Sequence, residues 1–153
     1  MIFRLLLANR VRRSDSGNGV DRALIAEASR VEGLESFEEQ YAAFDRLPAA
    51  EQADLLAGLA VDAEGDFEDL RVIAWLTGDM AALERDSSGG ILADPELREA
   101  LQLSRNRVWA QRIGALIEGG ERPFVAVGAA HMWGEEGLPA LLAARGYMVR
   151  RAQ

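Results

Sequence analysis

The sequence predicts a helix-rich α/β fold, in which a small, mostly parallel sheet with a C-terminal βαβ unit is surrounded by helices. Three observations predict it. Apolar residues recur at helical spacing through most of the 153 residues. One short continuous apolar run, residues 124–128 (FVAVG), carries β-branched side chains and reads as a strand buried on both faces. A helix then leads to residues 147–150, which read as a final strand, and a strand–helix–strand unit closes as a right-handed parallel crossover.

The elements follow in order. Residues 1–13 hold a short apolar run, IFRLLLA, interrupted by Arg4 and lacking a clear cleavage site, so it reads as a short strand or an irregular N-terminal stretch rather than a targeting segment. A polar, glycine-containing loop separates it from a first helix at residues 21–30, with Leu24, Ile25 and Ala28 on its apolar side. Residues 31–34 read as a very short strand or turn. Ser36 and Glu39 form a capping box, which starts a helix through Phe37, Tyr41 and Phe44. Pro48 opens the next helix, with Leu55, Leu56 and Leu59 inward. Phe67, Leu70, Ile73 and Ala74 line another, ended by Gly78, and Asp79 caps a short one. Asp94 followed by Pro95 starts a long helix of roughly 24 residues, stopped by Gly119 and Gly120. A last helix covers residues 138–145, with Pro139 near its start and Gly146 at its end.

Composition narrows the chemistry. Hydrophobic residues at 49% and charged residues at 27% are ordinary globular usage. The net charge of −8 opposes a phosphate backbone, so no nucleic-acid partner is expected. All basic residues besides the single histidine are arginine, which excludes Schiff-base chemistry and a P-loop lysine. The absence of cysteine removes disulfides, thiolate nucleophiles and Cys-ligated zinc. No apolar run approaches the roughly 20 residues of a membrane span. The compartment is open: without a signal peptide in this chain the default is cytoplasmic.

Three positions stand out. His131 lies in GAAH, residues 128–131, just past the predicted strand, where ligands of open parallel sheets bind. Its imidazole suits a metal ligand or a general acid or base; equally, it suits a structural histidine bonded to a loop carbonyl. Gly128 would let the chain turn sharply there. Arg105, with Asn106 beside it, falls on the apolar side of the long helix, between Leu101 and Trp109. There its guanidinium either meets a carboxylate or snorkels to water. Glu35 stands beside a helix start, which favours a carboxylate. It suits a partner for Arg105, a metal ligand or a solvated acid.

The segments VDRALIAEA, GLESFEEQ, AWLTGDMAAL, SRNRVWAQRI and FVAVGAAHMWGEEGLPALLAARGYMVRR resemble, in order, the TraB/GumN family pattern over residues 20–153, leaving residues 1–19 as a segment without a match. The resemblance implies an α/β domain related to PrgY, the Tiki proteases and the ChaN-like and erythromycin-esterase-like proteins. It implies that Glu35, Arg105, Asn106 and His131 are the polar site positions, with His131 and Glu35 as ligands of a divalent metal of unknown identity. The activity it implies is metal-dependent hydrolysis of a peptide or small molecule, and it leaves open that full-length relatives are exported.

The family pattern also has an earlier GxxH, and the sequence before Val20 holds no histidine. The expectation is therefore an incomplete domain, the C-terminal portion of the whole, whose single GxxH leaves the metal short of ligands and the chain alone inactive. An incomplete sheet predicts an uncovered edge and hence a homo-oligomer. The alternative expectation is a non-catalytic ligand-binding or interaction domain that keeps the family core, with haem or another small molecule as a candidate ligand.

Overall fold

Helix ends, where backbone groups lack intrahelical partners, organise the chain. The computed structural model describes residues 20–64 and 68–152. The chain divides into two units, one ending at Gly33 and the other beginning at Leu34. In the first, α1 (Val20–Glu27) is followed by an irregular stretch carrying an exposed Arg30–Glu32 ion pair.

The second unit opens on α2 (Phe37–Asp45). Its capping box forms as the sequence predicts. The Glu39 amide donates to Ser36 Oγ at 3.1 Å, and the Ser36 amide donates to the Glu39 carboxylate at 2.7 Å. Next come α3 (Ala49–Glu64), α4 (Glu68–Thr77) and α5 (Met80–Ser87), the last capped by Asp79. A 3-10 turn (Gly90–Ala93) leads to Asp94, whose carboxylate accepts from the amides of Glu96 and Leu97 at 2.9 Å each.

From there the chain is helical without a break, but not uniformly so. It runs as α6 (Pro95–Arg98), a π turn (Glu99–Leu103) and α7 (Ser104–Glu118). Within the π turn the Ser104 amide bonds back to Glu99, five residues earlier, where an α-helix would use four. The helix stops at Gly120, with φ at 85°. There the Gly120 amide bonds the Ile117 carbonyl and the Glu121 amide bonds the Leu116 carbonyl, the paired closure that a left-handed glycine permits. A second 3-10 turn (Ala129–His131) and α8 (Leu138–Ala144) complete the order.

This long helix is shared by two apolar clusters. Its first part sends Leu97, 1% exposed, against Leu47 and Leu55, with Phe44, Leu59, Ile91, Ala100 and Leu101 around them. Its last part packs Trp109, Ala110 and Ile113 against Leu138 of α8. Val125, Val127, Leu34, Leu141 and Leu142 cover that second cluster. Burying each such large side chain stabilises the fold by roughly 1.5–3 kcal/mol. The π turn contributes Ala100 and Leu101 to the first cluster, and the residues just after it lead to the second.

The predicted parallel sheet and its βαβ unit are absent: among the described residues there is no strand. Residues 124–128 are extended but pair with no second strand. Their side chains alternate, with Val125 and Val127 turned to the core and Phe124, 80% exposed, and Ala126 turned away. The run is therefore half-buried against helices, not buried on both faces. Residues 31–34 and 147–150 likewise form no ladder. The IFRLLLA stretch lies outside the described residues.

Two apolar assignments also change. In α3, Leu55 is buried but Leu56 is half exposed. In α4, Ala74 is buried, whereas Leu70 and Ile73 face outward together with Trp75 and Leu76. No helix among the described residues is long and apolar enough to cross a membrane.

Candidate functional site

The four residues singled out in the sequence meet at the start of α7. Glu35 precedes the Ser36 cap, Arg105 and Asn106 occupy the first turn of α7, and His131 ends the 3-10 turn. The Arg105 guanidinium grips the Glu35 carboxylate with two donors, Nε to Oε2 at 3.0 Å and Nη2 to Oε1 at 2.5 Å. Its remaining nitrogen, Nη1, donates to the Leu101 carbonyl at 2.8 Å. Both side chains are largely buried, at 20% and 16% exposure, so this is a paired charge rather than a snorkelling one. The guanidinium also lies 4.7 Å from the centre of the Trp109 ring.

Asn106 is fully buried and its carboxamide is used at both ends. Its Nδ2 donates to the Glu136 carbonyl at 2.8 Å. A carbonyl only accepts, so the amide nitrogen must face Glu136 and Oδ1 must face His131. Oδ1 lies 2.6 Å from His131 Nδ1. Because Oδ1 also only accepts, Nδ1 carries the ring proton. The tautomer is thereby fixed, and Nε2 is left as the bare lone pair. No hydrogen bond among the described residues engages Nε2.

The imidazole packs against Trp109 with ring centres 4.5 Å apart. Burial, and then the positive charge of Arg105, push its pKa down to about 4, against a smaller upward pull from Glu35. His131 is thus neutral at neutral pH. Gly128 has φ at −59°, a value open to any residue, and a Cβ there would meet the His131 ring at an ordinary 3.8 Å. The turn expected to need a glycine does not need one for its backbone.

Sequence reasoning missed two participants. Gln102, 6% exposed, donates from Nε2 to the carbonyl of Ala130, the residue before His131. Glu136 supplies the carbonyl that orients Asn106, and its carboxylate accepts from Arg107 at 2.6 Å. A neutral carboxamide bonding to main chain leaves no charge or spacing signature, although Gln102 and Asn106 are one helical turn apart.

A divalent centre needs several converging donors. At this site Nε2 of His131 is one, while each oxygen of Glu35 already accepts from Arg105. No other histidine exists in the chain. The described residues whose ligand atoms do converge, Glu51, Asp94 and Glu96, include none of the four. Among the described residues, the donor set around His131 therefore does not fit a metal centre.

The chain belongs to the TraB/PrgY/gumN family, whose model matches residues 1–151. No curated protein and no solved structure matches it.

Proposed function

We propose that this protein is a hydrolase of the TraB/PrgY/gumN family in which the neutral imidazole of His131 accepts a proton at Nε2 from an attacking water. The substrate class is a peptide or small-molecule carbonyl compound. The observation that supports the reading is the Asn106–His131 bond, which holds the proton on Nδ1 and leaves Nε2 ready as a base. Arg105 and Glu35 act beside it as a fixed charge pair whose two members pull the imidazole pKa in opposite directions. Asn106 orients the ring, the part a buried carboxylate plays in other histidine-dependent sites.

The test is hydrolysis across a library of peptides and small esters, with wild type compared to His131→Ala. Loss of turnover in the variant, with an acid limb near pH 4 in the wild-type profile, is the expected result. Unchanged turnover in the variant would remove His131 from the mechanism. Calorimetric titration with zinc or manganese should give no His131-dependent binding; tight binding lost in His131→Ala would reinstate a metal-dependent route. A second reading, a non-catalytic binding or interaction domain, draws support from the closed Glu35–Arg105 pair, which leaves neither group free for a substrate. Absence of turnover from the whole library, with an intact fold, favours that reading.

A further inference from the structure

We propose that Gln102 is a positioning residue for His131, clamping the turn that carries the imidazole and so helping to decide which ring nitrogen is bare. The inference rests on reading His131 as the reactive group. Among the described residues the buried polar side chains are Gln102 and Asn106. A buried carboxamide is costly unless its hydrogen bonds are made, so each must be held by a partner. Their partners bracket one loop. Gln102 Nε2 donates to the Ala130 carbonyl, immediately before His131, and Asn106 Nδ2 donates to the Glu136 carbonyl, five residues after it.

The two residues are four apart, so they sit one above the other on one side of the helix. One turn of helix therefore grips both flanks of the segment from Ala130 to Glu136. Around the first grip, the His131 amide bonds the Gly128 carbonyl at 3.0 Å and the Met132 amide bonds the Ala129 carbonyl at 2.9 Å. With the main chain held, the ring's remaining freedom is rotation of its own side chain, which Trp109 restricts. The Nδ1 to Oδ1 contact of 2.6 Å is the result.

Gln102 also belongs to the π turn, where the backbone bonds at five-residue spacing. Such wide turns recur at functional sites because they re-aim side chains without ending the helix. Here the side chain so placed is the donor that reaches Ala130.

The readout is the tautomer, not the activity. With one histidine in the chain, selective 15N labelling gives two ring-nitrogen signals and no ambiguity. In wild type, at pH 7, Nδ1 should show the protonated shift and Nε2 the bare one. Gln102→Met keeps the side-chain length and apolar stem but loses the donor; it should raise the Nε2–H population about fivefold. A folded Gln102→Met protein with wild-type nitrogen shifts would overturn the proposal and make Gln102 a packing residue.

If that variant does not fold, the unmodified protein still decides. A through-hydrogen-bond coupling between Gln102 Nε2 and the Ala130 carbonyl carbon is expected, and a carboxamide exchanging freely with solvent overturns the clamp. These outcomes are separate from turnover. Full activity in His131→Ala would end the reading of His131 as the base and leave the tautomer result intact.

Discussion

Asn106 Oδ1 lies 2.6 Å from His131 Nδ1, while the same carboxamide donates to the Glu136 carbonyl at 2.8 Å. One fully buried side chain thus satisfies both an imidazole donor and a main-chain acceptor. Replacing it by leucine removes both bonds and strands a donor and an acceptor. The expected loss is about 2–4 kcal/mol, read from the urea midpoint. A loss below about 1 kcal/mol would mean that water enters and replaces the carboxamide.

The depressed imidazole links stability to pH with a definite sign. Folded His131 titrates near 4, below its ordinary 6.5. Between those values the unfolded chain binds the proton and the folded chain does not, so acid favours unfolding. The contribution is complete above about pH 6.5 and is lost as pH falls toward 4, amounting to about 3 kcal/mol. Denaturation midpoints at pH 7, 5.5 and 4 measure it, and His131→Phe should flatten that part of the profile. An imidazole titrating near 6.5 by NMR would show that the ring is not buried in solution.

The Arg105–Glu35 pair should be non-additive under mutation. Arg105→Ala leaves a partly buried carboxylate with neither of its two strong donors, at a cost of roughly 3–5 kcal/mol. Removing both partners should cost less than the single changes added together, giving a coupling of about 1–3 kcal/mol in a double-mutant cycle. Additive effects would mean that the two groups are independently solvated.

At Gly120 the backbone argument is local. With φ at 85°, alanine there is strained although nothing lies within 4 Å of the site for its Cβ. Gly120→Ala should destabilise by about 1 kcal/mol while leaving the His131 nitrogen shifts unchanged. A neutral change would show that the helix end rearranges.

What the sequence makes legible is what a few neighbouring residues decide among themselves. Ser36 with Glu39, Asp94 with Pro95, and Gly120 each mark a helix end within about one turn, and each acts as read. Arg105 on the apolar side of its helix either meets a carboxylate or snorkels to water, and only the fold, by bringing Glu35 to it, decides between them. The predicted sheet does not form among the described residues because a strand is a property of two segments. Residues 124–128 have strand-like side chains, yet a ladder needs a neighbour that composition cannot supply. Periodicity in α4 likewise marks an apolar side without saying that anything covers Leu70 or Ile73. Gln102 was invisible for a related reason, since its partner is a main-chain carbonyl 28 residues away.

Two arginines of α7 reach back to the start of α2. Arg105 spans 70 residues to Glu35, and Arg112 spans 73 to Glu39 and 78 to the Leu34 carbonyl. Most other site contacts join segments fewer than about half as far apart in the chain. Closing a loop of that length costs on the order of 4 kcal/mol of chain entropy before any contact is made. These charged links should therefore form after the packing of α7 against α8, on the native side of the folding barrier. Weakening either one would then act as a faster escape from the native state, with the refolding arm of the chevron unmoved. On that view the arginine links act as a late-closing latch: they set how long the assembled imidazole site persists, more than how quickly it first appears.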